Sequence, residues 1–208
     1  MKKPTAKASP GSPSKVKPGA VRIITGAWRG RSIEVPPGNT VRPTADRVRE
    51  ALFNRLAHAF ADTGFTLADA QVVDVFAGTG ALGLEALSRG AAQATFLDRN
   101  PEAVALIKRN IAKLGCEDRA VVMNADGAHV PRAVSPSNLA FLDPPYGEGL
   151  VVPALTGLAR QGWLAPNALV VVETDADEIE PAAEGYALLD RRTYGRVALS
   201  FLSFTAQE

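Results

Sequence analysis

Asp74-Val-Phe-Ala-Gly78-Thr-Gly80-Ala-Leu-Gly83 sets three glycines at G-x-G-x-x-G spacing, after an apolar run at 72–76 and before a helix-like segment at 80–89 that stops at Gly90. Glycines at such a turn let the backbone approach a ligand and let the helix pack closely on the strand. Asp98 follows Gly78 by 20 residues, at the end of the next apolar run, 94–97. A carboxylate at that place accepts hydrogen bonds from ribose hydroxyls. Loop and carboxylate together confine this part of the chain to a strand-turn-helix-strand unit and point to a ligand that contains a ribose.

The rest of the chain extends that unit. A helix after Asp98 is punctuated by Asn100 as N-cap, Pro101 at the first helical position, Glu102 in the first turn and Gly115 past the last. Apolar runs at 121–123, 139–142 and 169–172 read as strands, with a helix over about 150–160. Two last strands, 186–189 and 197–204, have no helix between them and are expected to form an antiparallel hairpin turning at Tyr194-Gly195. Upstream, 21–24 and 31–35 read as a small hairpin closed by Pro36-Pro37-Gly38. Val48, Leu52, Leu56 and Phe60 recur every four residues along a helix over 45–61, with Thr44 as N-cap. The expected class is α/β and Rossmann-like. It has a seven-stranded, mostly parallel sheet with an antiparallel last strand, plus an N-terminal β-hairpin and helix.

Asp74 narrows the ligand. A carboxylate within the loop region repels the pyrophosphate of a dinucleotide and suits a cation. S-adenosylmethionine offers a ribose, an adenine, an ammonium and a sulfonium, with no phosphate. Asp74 then faces its methionine end, Phe76, Gly78, Thr79 and Gly80 form the loop around it, and Asp98 takes the ribose. Asp126, after the 121–123 strand, either accepts from the adenine amino group or caps the turn that follows.

The run 139–142 leads into Asp143-Pro144-Pro145-Tyr146. Two prolines fix φ, remove two backbone donors and keep Asp143 out of the helical region, leaving a stiff loop rich in acceptors. An exocyclic amine on an aromatic base is a poor nucleophile. Acceptors at Asp143 and the Pro144 carbonyl can hold its two hydrogens and direct its lone pair at a methyl carbon while Tyr146 stacks on the base. Positioning and preorganised electrostatics then supply most of the rate.

These residues resemble the class I methyltransferases that modify exocyclic amines of nucleobases. Further stretches make the resemblance narrower: Arg22-Ile-Ile-x-Gly26-x-Trp28-Arg-Gly-Arg31, Arg42-Pro-Thr-x-Asp46-Arg-Val-Arg-Glu50-Ala-Leu-Phe-Asn54, 74–86 and 143–146 are similar, in the same order, to the RsmD family of bacterial 16S ribosomal RNA guanine-N2 methyltransferases. The resemblance implies S-adenosylmethionine as donor, N2 of one guanine in small-subunit RNA as acceptor, and a preference for assembled or partly assembled subunits. An adenine-N6 methyltransferase on DNA or RNA uses the same loop chemistry. A nicotinamide oxidoreductase and a non-catalytic, RNA-binding ribosome-assembly factor are the rivals from other classes.

The formal net charge of +1 conceals a division: residues 1–50 carry +8 and residues 51–208 carry −7. Residues 1–20 hold five lysines and four prolines with no acidic side chain, and are expected to be a disordered basic tail. Residues 21–43 are read as an RNA-facing hairpin and 44–208 as the methyltransferase domain. Arg29, Arg31, Arg42 and Arg47 are the candidate phosphate contacts; Trp28 either stacks on RNA or packs the hairpin. Arg47 or Arg49 alternatively pairs with a nearby carboxylate, and Phe53 belongs to the core or the pocket. His58 and His129 read as structural, and the lone Cys116 has no assigned role. Cys and His spacing gives no metal site, and no run approaches the roughly 18 apolar residues of a membrane span. A cytoplasmic location is expected.

Overall fold

A computed structural model of the chain describes residues 21–36, 43–60, 64–179 and 181–205. The expected basic tail and Arg42 lie outside the described residues. Strands β1 (Val21–Arg22) and β2 (Ser32–Ile33) pair antiparallel, and helix α1 (Pro43–His58) follows. Then come β3 (Gln71–Val75), α2 (Ala81–Ser88), β4 (Gln93–Asp98), α3 (Pro101–Leu114) and β5 (Ala120–Asn124). The chain ends with β6 (Ser137–Leu142), α4 (Val151–Arg160), β7 (Leu164–Asp175), β8 (Tyr186–Tyr194) and β9 (Val197–Phe204). Seven strands make one sheet in the order β5-β4-β3-β6-β7-β9-β8, with β9 antiparallel to both of its neighbours. The order reverses between β3 and β6, so a crevice opens there at the carboxyl ends of the strands.

Both faces of the sheet are covered, which is why its central strands read as unbroken apolar runs. On one face Val72, Phe96, Phe141 and Phe201 meet Phe53, Leu84 and Ile107 from the first three helices. On the other, Val73, Val75, Leu142 and Val170 meet Leu155 and Leu158 of α4. Ile23, Trp28 and Ile33 of the N-terminal hairpin join the first of these clusters, so the hairpin shares the core of the larger unit. The α3 boundaries follow the expected chemistry: the Asn100 side chain accepts from the Glu102 N–H at 2.9 Å, and Gly115 closes the helix at φ 71°.

Several bounds differ from the sequence reading. Helix α1 begins at Pro43, ahead of Thr44, and ends at His58. Phe60 lies beyond it and is still buried, its ring 5.1 Å from that of Phe201. Strand β8 runs on through Asp190, Arg191 and Arg192, charged residues that suit a sheet edge and hide it from an apolar-pattern search. The hairpin strands are only two residues each, because the loop between them is held by α2 more than by its own ladder.

Candidate active site

Past Val75 the chain turns through positive φ at Phe76 (62°), Gly78 (56°) and Gly80 (78°), which carries it over the strand end and into α2. The turn is tied down from below. Gly83 N–H donates to Asp74 Oδ2 at 2.9 Å, Gly78 N–H to Asp98 Oδ2 at 2.8 Å, and Gly80 N–H to the Ala77 carbonyl at 2.7 Å. A Cβ on Gly83 would stand 2.4 Å from the Phe96 ring, so only glycine lets α2 lie this close to β4. Three of the N–H groups of this turn are therefore already engaged within the protein. Asp74 is 1% exposed, and its carboxyl is pushed up to about 7, chiefly by burial and further by the Asp98 charge, against the bond from Gly83.

Asp98 sits between two clefts of about 470 and 540 Å³. The first is floored by Phe76, Asp143, Pro144 and Tyr146, the second by Gly78, Thr79 and Leu106. Asp98 Oδ1 also accepts from Asn100 N–H at 2.8 Å, which leaves one lone pair on each oxygen for ribose hydroxyls. The turn, the ribose acceptor and the buried carboxyl fit S-adenosylmethionine: polar acceptors line the crevice, and a carboxyl lies under the loop where a cation is wanted.

A third cleft, of about 590 Å³, opens on the other side of Asp143 and Tyr146 and is lined also by Arg49, Thr79 and Glu173. Asp143 thus lines both the first cleft and this one. Water reaches it, yet it lies deep in a concavity: burial, then Glu173, then Asp74 hold its carboxyl well above the ordinary carboxylate range. Pro144 is buried while Pro145 and Tyr146 are exposed. The Tyr146 hydroxyl donates to Glu173 Oε1 at 2.7 Å. Burial pushes the Glu173 carboxyl up, opposed by that bond.

The sequence reading missed Glu173, Glu85 and the role of Asn110. Glu173 follows the apolar run 169–172 within β7, and only the Leu142↔Val172 register, which places it beside Asp143, reveals it. Glu85, fully buried on α2, accepts from the N–H groups of Ile24 (2.7 Å) and Thr25 (3.0 Å) and from Arg89 Nε (2.7 Å). Asn110 on α3 donates to the carbonyls of Thr79 and Glu34, bridging the glycine loop to the hairpin side.

Among the candidate RNA contacts, Arg29 and Arg47 are exposed and form no ion pair with a described residue. Arg31 is exposed, and its guanidinium donates to the carbonyls of Lys113 and Leu114, closing the C-terminus of α3. Trp28 packs: it is 9% exposed, donates its backbone N–H to Ser88 Oγ, and has the Arg119 guanidinium 5.2 Å from its ring. Arg49 is buried and bonds the Arg22 carbonyl and Asp46, while Phe53 lies in the core, 5.7 Å from Phe141. Asp126 accepts from Ala128 N–H and meets His129 Nδ1, both at 3.0 Å, and lines none of the three clefts; this is the local cap. His58 is exposed at the end of α1, where a basic group suits the helix dipole. Cys116 is buried and its thiol is pushed up to about 11 by burial. No described residues group as a metal site, and no described helix is long and apolar enough to cross a membrane.

A Rossmann-like sheet of this strand order, with a glycine turn and Asp98 at its crevice, defines a class I S-adenosylmethionine-dependent methyltransferase. A family model described as "Conserved hypothetical protein 95" matches residues 21–203. The chain is 38% identical to ribosomal RNA small subunit methyltransferase D of Escherichia coli strain K12, over 100% of this chain and 97% of that protein. It is 39% identical to the Haemophilus influenzae protein of the same name, over 86% and 92%. A solved structure of Escherichia coli yhhF superposes with a TM-score of 0.78 at 36% identity, covering 91% of this chain and 100% of that one. The chain belongs to the RsmD family.

Proposed function

We propose that this methyltransferase transfers a methyl group from S-adenosylmethionine to the exocyclic N2 of a specific guanine in 16S ribosomal RNA of the small ribosomal subunit. The observation that carries the reading is Asp143 standing between the cofactor cleft and a second open cleft, in a chain of the RsmD family. Phe76, Gly78, Thr79, Gly80 and Asp98 hold the donor, and Asp74 sets a carboxyl beneath its cationic end. S-adenosylmethionine, when bound, supplies a methyl group activated by a sulfonium. Asp143 and the Pro144 carbonyl hold the two amine hydrogens, Pro145 stiffens the loop, and Tyr146 supports the base. The methylated amine releases its proton to water, which reaches the site at Asp143 directly. The base must leave its stack to enter such a cleft. Arg29, Arg47 and Arg42 are assigned to phosphates.

Labelled donor offered to unmodified small subunits, naked 16S RNA and duplex DNA tests this. Nucleoside analysis is expected to give N2-methylguanosine from the subunits. Methyl at adenine N6, or in DNA alone, would overturn it; unchanged cofactor binding with no transfer to any substrate would point to the assembly-factor reading.

A further inference from the structure

We infer that Glu173 selects guanine over adenine by accepting the guanine N1–H while Asp143 holds the neighbouring N2 amine. The inference rests on the guanine-N2 reading and deepens it. Strands β6 and β7 are parallel with Leu142 opposite Val172, so the next residues are Asp143, just past the end of β6, and Glu173, within β7, on neighbouring strands that lie about 4.8 Å apart. Both line the open cleft together with Tyr146. The Tyr146 hydroxyl occupies Glu173 Oε1 and leaves Oε2 to accept.

Two adjacent acceptors match one base edge and mismatch the other. Guanine presents two neighbouring donors, N1–H and the N2 amine. Adenine presents its N6 amine beside N1, a bare acceptor whose lone pair faces a carboxylate. A site built to hydrogen-bond a donor rejects the analogue that lacks it, because a buried acceptor is then left unpaired. Asp143 by itself serves either amine; the second carboxylate makes the choice. The Tyr146 ring stacks while its hydroxyl fixes the Glu173 side chain, which ties base support to base reading.

The test uses the full chain and small subunits reconstituted with 16S RNA carrying either guanine or 2-aminopurine at the methylated position. 2-Aminopurine keeps the N2 amine and has an acceptor at N1. The wild-type protein is expected to methylate guanine about 10- to 100-fold faster, the worth of one hydrogen bond to a charged group. Glu173→Gln, whose amide can donate to N1, is expected to shrink that ratio at least tenfold by losing rate on guanine and keeping or gaining it on 2-aminopurine. A residue that only anchors Tyr146 would lower both rates alike, so an unchanged ratio in Glu173→Gln overturns the inference. Should that variant fail to bind donor, the wild-type ratio decides, since equal rates on the two bases overturn it equally. Absence of N2-methylguanosine from wild-type protein on guanine subunits instead removes the underlying function.

Discussion

Asp74 shows how one buried carboxyl couples the cofactor loop to stability. Its pKa rises from 3.8 to about 7 on folding, so the folded chain holds a proton there that the unfolded chain has released. The associated stability is therefore full below about pH 4 and is lost as pH climbs through 7. Asp74→Asn, which keeps an oxygen for the Gly83 N–H, removes the titration. Denaturant unfolding at pH 5 and pH 8 is expected to show a smaller drop in the variant, by about 2–4 kcal/mol, because each tenfold change in proton affinity is worth roughly 1.4 kcal/mol. Equal drops in both proteins would mean that Asp74 titrates normally in the fold. The same substitution is expected to weaken donor binding, since the carboxyl no longer ionises to meet a cation. Asp74 and Asp143 were both legible in the sequence because each lies inside a local motif. Glu173 was not, since nothing within a few residues of it distinguishes this strand glutamate from any other.

At the level of elements, α2 does two jobs. Its first turn carries the glycine loop, and its body anchors the N-terminal hairpin through Glu85 and Ser88. The Ser88 carbonyl accepts from Ala27 N–H at 2.7 Å, and a Cβ on Gly26 would fall 1.9 Å from that oxygen, so hairpin and helix meet backbone to backbone. Glu85→Ala would leave the Ile24 and Thr25 N–H groups and Arg89 without their acceptor. A loss of about 3–5 kcal/mol is expected, as for other broken buried ion pairs. Amide exchange at Ile24 and Thr25 should accelerate more than at β3. A loss under about 1 kcal/mol with unchanged exchange would show that the hairpin is held by its apolar contacts alone. The helices and most strands were legible from periodicity and caps. The far half of β8 was not, because an edge strand carries charge in place of the apolar alternation.

Across the whole molecule, the sign division in the sequence becomes a division of labour. The acidic 51–208 region supplies Asp98, Asp143 and Glu173 around the crevice and Asp74 beneath the glycine turn, an arrangement suited to a cation and an amine and unsuited to a polyanion. In the proposed function, contact with RNA falls to the basic front end. Arg29→Ala and Arg47→Ala are each expected to weaken binding to small-subunit RNA and to reduce the salt slope by roughly 0.7–0.9. Arg31→Ala is expected instead to lower thermal stability by loosening the end of α3, with little change in slope. Binding measured between about 50 and 200 mM salt separates the two behaviours, and a slope reduced by Arg31→Ala alone would reverse the assignment.

Short spacing alone carries the order of strands and helices, the glycine turn, Asp98 at the end of the next strand, the Asp143–Tyr146 loop and the α3 caps. Each of these depends on neighbours a few residues away or on a fixed strand-to-strand step. Which charges are free and which are used depends on the packing of distant segments. Glu85 reaches 61 residues back to Ile24, Arg31 reaches 82 forward to Lys113, and Tyr146 finds Glu173 27 residues on. Such pairings follow from which strand ends and helix termini the sheet order brings together, and no local pattern encodes them.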